Sequence, residues 1–195
     1  MKNNETKSRI VQTGLTIMLE KGYNNTGIQE VLHELALPKG SFYHYFTSKE
    51  EFGLSVLELF VKQNDALFSR YMSYHNLTPL TRLRRYFEAV RKYYNSIQFR
   101  NGCLVGNFSQ ELADQNESFR LRLEQVLKQW SANWAECLKE AQLAGEISTE
   151  FNPAELSQFL LSSWEGALLS MKASKSIAPL DQFISFVFDK FLNPA

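Results

Sequence analysis

The chain has 195 residues, enough for one domain or two closely packed ones. Hydrophobic residues make up 44% of it, which supports a real core and excludes global disorder. The formal net charge is +0, which excludes a generally cationic binder of nucleic acid and leaves only local patches and helix N-termini to attract an anion.

The 2 cysteines are too few for a disulfide framework and are expected to stay reduced. Met1 to Glu5 is polar and no apolar h-region follows, so no signal peptide is expected. No stretch approaches about 18 consecutive apolar residues, so no membrane partner is expected and a soluble, cytoplasmic chain is. Glycine and proline fall at boundaries, and between them apolar residues recur with a period close to 3.6. The pattern predicts an all-α fold of about nine helices.

A first helix is expected from about Asn4 to Lys21, with Ile10, Leu15, Met18 and Leu19 buried and Gly22 as its stop. Thr26 is placed to cap a second helix from about Gly27 to Glu34, whose apolar face is Ile28, Val31, Leu32 and Leu35. A tight turn then leads to Pro38, well suited to a first helical turn. The short helix that follows buries Phe42 and Phe46, four residues apart, and turns a polar, aromatic and basic face outward. Ser48, followed by Lys49, Glu50 and Glu51, reads as the N-cap of a long fourth helix reaching about Tyr74. Its expected core stripe is Phe52, Val56, Leu59, Phe60 and Leu67. Helix, short turn, helix is the spacing of a DNA-binding helix-turn-helix, and also that of an ordinary helical hairpin.

These residues carry a resemblance. The helix ending in Gly22-Tyr23, then Thr26 and Ile28, then Lys39-Gly40-Ser41-Phe42-Tyr43-His44-Tyr45-Phe46 with Ser48-Lys49-Glu50, resemble the TetR family of transcriptional repressors. The family's Tyr-x-Tyr-Phe-x-x-Lys-x-x-Leu pattern is present as Tyr43, Tyr45, Phe46 and Lys49, with Phe52 to Leu54 displaced. The resemblance covers about the first third of the chain. It implies a DNA-binding head over residues 1–50, linked by the helix from 48 to an effector-binding and dimerisation domain over 51–195.

Further along, Pro79 opens a helix to about Phe99 that is dense in Arg82, Arg84, Arg85, Arg91 and Lys92, expected as a solvated face. A short helix from about Cys103 to Ala113 follows. Asn116 is a possible N-cap for a long helix to about Ala144, with Phe119, Leu123, Val126, Leu127, Trp130, Trp134 and Leu138 along one side and Gly145 as its stop. Asn152-Pro153 starts a helix to about Ser174 that is rich in small residues. Pro179 or Leu180 starts the last, with Phe183, Phe186, Val187 and Phe191 on one side.

No catalytic constellation is present. The 3 histidines, His33, His44 and His75, form no metal-binding spacing, so neither a metal nor a cofactor is expected. No Gly-x-Ser-x-Gly elbow or phosphate-cradling glycine loop occurs. Glu111 and Asp114 read as a solvated helix end. An enzyme, or a helical binding protein that does not touch DNA, is the alternative to a regulator.

For a regulator, Lys39 reaches a guanine edge or a phosphate, and the hydroxyls of Ser41, Tyr43 and Tyr45 reach phosphates or base edges. Gly40 admits close backbone approach. Lys49, with its helix N-terminus, and Thr26 hold phosphates. In the family these are the positions that meet DNA. His44 is open between DNA contact and packing on the first helix. The family implies double-stranded operator DNA as one partner and a second copy of the chain as another. Leu168 and Phe183 are expected at the dimer seam, in the last two helices. An effector pocket is implied among the middle helices, with Tyr86, Tyr93, Tyr94, Phe108, Trp130 and Trp134 as candidate lining, each of which also fits ordinary core. Gly102-Cys103-Leu104 resembles the branch of the family that senses N-ethylmaleimide-type electrophiles, in which this thiol is the sensor and a lysine late in the penultimate helix, here Lys172, lies near it. A thiol at a helix start feels the positive end of the dipole, which favours the thiolate. The alternative is an inert buried thiol, and Cys137, mid-helix, is read that way.

Overall fold

The computed structural model describes residues 2–192, and among them no strand occurs. The elements are α1 (Lys2–Lys21), α2 (Ile28–Glu34), a 3₁₀ helix (Lys39–His44), α3 (Lys49–Met72), α4 (Pro79–Ser96), α5 (Leu104–Leu112), α6 (Glu117–Leu143), α7 (Pro153–Ser174) and α8 (Ala178–Phe186). The last continues as one π-helical turn, Val187–Phe191. The all-α fold expected from the apolar period is the fold adopted.

Local chemistry sets most of the ends. Gly22, at φ +82, stops α1, its N–H donating to the Met18 carbonyl at 2.9 Å. The Ser48 hydroxyl accepts the Glu51 N–H at 3.1 Å, and the Glu51 carboxylate accepts the Thr47 N–H at 2.7 Å, a reciprocal pair that opens α3. Asn116 accepts the Phe119 N–H at 3.1 Å to cap α6. Asn152 accepts the N–H of Ala154 at 2.9 Å to cap α7.

Other ends differ from expectation. The N-cap of α2 is Gly27, without a side-chain bond, because the Thr26 hydroxyl turns back and donates to the Gly22 carbonyl at 2.6 Å. The helix from Pro79 stops at Ser96 rather than near Phe99, since Gln98 and Phe99 turn left-handed at φ 55 and 60 and the Phe99 N–H closes on the Tyr94 carbonyl at 2.9 Å. The end of α7 at Ser174 is as expected, although Lys175, at φ 51, closes it in a conformation usually left to glycine.

The chain divides into two compact units: one holds residues up to Asn64 with Cys103–Leu123, the other Asp65–Gly102 and the chain from Glu124 onward. In the first, Ile10, Met18, Val31, Leu32, Phe42, Phe46, Phe52 and Val56 form the core. The Phe42, Phe46 and Phe52 rings lie within 5.5 Å of one another. Gly14 lets α1 close on α3, because a Cβ there would stand 2.3 Å from the Phe52 ring. Along α3 the buried residues are Phe52, Val56, Leu57, Val61 and Phe68, whereas Leu59, Phe60 and Leu67 of the expected stripe are only half-buried. The inner face therefore lies to one side of the stripe read from the sequence.

The second unit is built around Phe87, whose ring lies 4.8 Å from Trp164, 5.0 Å from Trp134 and 5.2 Å from Phe183. The basic run of α4 is largely paired rather than freely solvated. Arg82 is buried, bridging Glu140 at 2.5 Å and donating to the Met72 carbonyl at 2.8 Å. Arg91 holds Asp181 through two nitrogens, at 2.5 and 3.0 Å, and Arg84 holds Asp189 at 2.5 Å. These carboxylates lie far off in sequence, which is why periodicity alone missed them.

Candidate nucleic-acid interface

The α2 turn and the 3₁₀ helix carry the helix-turn-helix. Ala36, at φ 52, bends the chain at the end of α2, and the Leu37 N–H closes onto the Leu32 carbonyl at 2.9 Å. Pro38 lies just before the short helix as its N-cap, extended at φ -60 and ψ 146, and the Ser41 N–H bonds its carbonyl at 2.9 Å. The helix is held from below by Phe42 and from its C-terminal side by Phe46, both fully buried. Around these anchors Lys39, Gly40, Tyr43 and His44 are exposed, Tyr43 at 69%, and Ser41 and Tyr45 are half-buried. A large ring left in water beside a lysine is the chemistry of a phosphate- or base-contacting surface. No Cβ added at Gly40 would meet anything within 4 Å, so the backbone there is open to an incoming surface.

Two of the expected contact residues are engaged inside the head. Thr26 is 1% exposed and its hydroxyl is taken up by Gly22. Lys49 is half-buried, with Nζ 3.2 Å from the Asn24 carbonyl and 4.6 Å above the Tyr23 ring. Burial holds its ammonium below the usual lysine range, against the opposing pull of the Glu111 carboxylate.

Glu111, read from the sequence as a solvated helix end, is the site's main surprise. From the last turn of α5 its carboxylate accepts the Tyr23 N–H at 2.9 Å and the Asn24 N–H at 2.6 Å. Tyr23 in turn packs edge-on against Phe108 and Phe119, at 6.0 and 5.1 Å. A Cβ at Gly22 would lie 2.7 Å from the Glu111 carboxylate. Nearby, Asn116 donates to the Glu50 carboxylate at 2.8 Å, which with Ser118 holds that carboxyl below the usual range. The only sequence signal for this cluster was Gly22-Tyr23 itself, a turn whose N–H groups need an acceptor.

Residues 10–56 match the family model described as bacterial regulatory proteins, tetR family, and residues 79–187 match the tetracyclin repressor-like C-terminal domain. The HTH-type transcriptional repressor DhaR of Mycobacterium sp. strain GP1 is 35% identical over 192 residues, 98% of this chain and 95% of the relative. The chain belongs to the TetR family. It is a DNA-binding transcriptional regulator of that type. The crystal structure of regulatory protein TetR from Rhodobacter sphaeroides is similar at a TM-score of 0.89 and 35% identity, over 95% of this chain and 97% of that one. The reduced form of Escherichia coli NemR is similar at a TM-score of 0.83 and 27% identity, over 97% of each chain.

Cys103 is buried at the N-cap of α5, its carbonyl accepting the Asn107 N–H at 2.9 Å, and lies in the first unit. Lys172 is half-buried in the last turn of α7, in the second. Cys137 donates to the Pro79 carbonyl at 3.3 Å, and burial pushes its thiol up to about 12, in keeping with a structural role. Of the aromatic pocket candidates, Tyr86, Tyr94, Trp130 and Trp134 are buried in the second unit, Trp130 donating to Asp65 at 2.9 Å. Tyr93 is exposed, and Phe108 is core of the first unit, under Tyr23. A cleft of about 390 Å³ on α4 and α8 is lined by charged side chains, including Arg84, Glu88, Arg91 and Asp181, not by these aromatics.

Leu168 and Phe183, expected at the dimer seam, are already buried within their own chain. The outward face of α7 is Phe159, Ser162, Gly166, Leu169 and Ala173, at alternating spacings of three and four, with Phe186 exposed on α8. The exposed apolar residues of these two helices therefore neighbour Leu168 and Phe183 rather than coincide with them.

Proposed function

We propose that the protein acts in the cytoplasm as a homodimeric repressor that binds an inverted-repeat operator and is released by a small organic effector. The observation that carries the DNA reading is the exposed row on the 3₁₀ helix, Lys39, Gly40, Tyr43 and His44, anchored by buried Phe42 and Phe46. Ser41 and Tyr45 flank the row, and Lys49 joins it if its ammonium leaves Asn24 for a phosphate. Residues 1–50 form the DNA-binding domain and 51–195 the effector and dimer domain, α3 running from one to the other. Pairing uses the α7 face at Phe159, Gly166 and Leu169, where the glycine admits close approach of a second helix. Release requires an effector that prefers a dimer whose short helices no longer match successive major grooves. The effector is a reactive electrophile that modifies Cys103, or a compound seated among the second unit's aromatics. Support for the thiol comes from its place at the start of α5 and from a relative described in a reduced form.

The test is selection of a duplex from a random pool, followed by titration with Tyr43→Ala and Lys39→Ala. Tyr43→Ala weakens binding to every sequence; Lys39→Ala also relaxes preference at one or two base pairs. Failure of the wild-type chain to select any sequence at low salt removes the DNA reading. Operator release by a quinone, compared in Cys103→Ser and Cys137→Ser, separates the effector readings: a Cys103→Ser variant as responsive as the parent leaves only the reversible ligand.

A further inference from the structure

We propose that Glu111 is the positioning residue through which α5 sets the DNA-reading geometry of the head, a proposal that rests on the operator-binding function above. A single carboxylate receives the two successive N–H groups of Tyr23 and Asn24, in the loop that delivers the chain to α2. The Asn24 carbonyl receives Lys49 Nζ, and the Tyr23 ring lies beneath that same ammonium. Tyr23 is wedged on Phe119 at 5.1 Å and against Gly53, where a Cβ would come within 2.5 Å of the ring. The loop is therefore fixed on three sides: by α5 through Glu111, by α6 through Phe119, and by α3 through Lys49 and Gly53. Gly22 completes the arrangement, since its left-handed backbone and missing Cβ make room for the carboxylate.

The loop is short, and α2 begins four residues after Asn24. The direction of α2 fixes where the 3₁₀ helix points, because the turn between them is closed by backbone hydrogen bonds at Ala36 and Leu37. Charge-assisted hydrogen bonds to adjacent N–H groups are strong and directional. A displacement of α5 is passed to Tyr23 and Asn24 through the Glu111 carboxylate, and a dimer that must place two short helices in successive grooves tolerates little misdirection. Glu111 touches no DNA; it determines how the residues that do are presented.

The experiment compares wild type, Glu111→Gln and, as control, Asp114→Asn in the exposed turn just beyond α5, on a duplex selected by the wild-type protein. The amide of Glu111→Gln accepts one N–H and opposes the other, so affinity falls roughly tenfold or more. The slope of affinity against salt stays unchanged, because no phosphate contact is removed. Asp114→Asn binds as wild type. In parallel, hydrogen exchange on the wild-type protein shows the Tyr23 and Asn24 amides as protected as those within α5, a readout that does not depend on the variant folding. Equal affinity of Glu111→Gln and wild type, a salt slope reduced by the substitution, or free exchange at Tyr23 and Asn24 overturns the proposal. A wild-type protein that selects no duplex instead overturns the operator-binding reading.

Discussion

Cys137 shows how one buried group ties the fold to pH. Its thiol has a folded value of about 12 against an ordinary value of 9.0, driven first by burial, with Arg82 pulling the other way. The folded state holds that proton where the unfolded chain loses it. The associated stability is complete below pH 9 and is lost as pH rises from there toward 12. Urea melts of wild type and Cys137→Ala between about pH 8 and 10.5 are expected to show a shallower alkaline loss in the variant, by up to about 1.4 kcal/mol per pH unit. This structural role was legible from the sequence, because a cysteine on the apolar side of a long helix is ordinarily core. Arg82 and Glu111 were not legible. Each is defined by a partner remote in the chain, Glu140 for one and the Tyr23–Asn24 backbone for the other, and a charged residue reads as solvated until that partner is known.

At the scale of elements, helix starts were easier to read than helix stops. Ser48, Asn116 and Asn152 carry their capping oxygen in the side chain, so the signal is chemical and local. Gln98, Phe99 and Lys175 end helices by adopting left-handed backbone without the glycine that would announce it. Which face of a helix is buried was legible to within one position, and that one position decides the dimer prediction. Leu169 is 55% exposed and Leu168 is buried. Leu169→Glu is expected to yield a folded monomer by light scattering, with lost operator binding, because the charge falls on the face left for a second copy. Leu168→Ala is expected to cost about 2–5 kcal/mol of folding stability and to leave dimers among the molecules that fold. If Leu169→Glu remains dimeric, the α7 face is not the seam.

For the whole molecule, a zero net charge leaves DNA attraction to the head's own surface, and the family match over 10–56 and 79–187 accounts for most of the chain. The helix-turn-helix was legible because its aromatic anchors and basic start are contiguous. The membership of residues 103–123 in the first unit was not, since that grouping depends on contacts with helices far earlier in the chain.

The distribution of indole rings has a spectroscopic consequence. All 3 tryptophans, Trp130, Trp134 and Trp164, belong to the second unit, and the first contains none. Emission excited at the red edge, where tyrosine does not absorb, therefore follows one half of the protein and is blind to the half that carries the 3₁₀ helix. Far-UV dichroism follows both. Denaturation curves from the two signals are expected to coincide if the chain unfolds as one cooperative body and to separate if the units melt independently. Replacing exposed Tyr43 with tryptophan would give the blind half its own lamp, at the price of the ring that faces DNA.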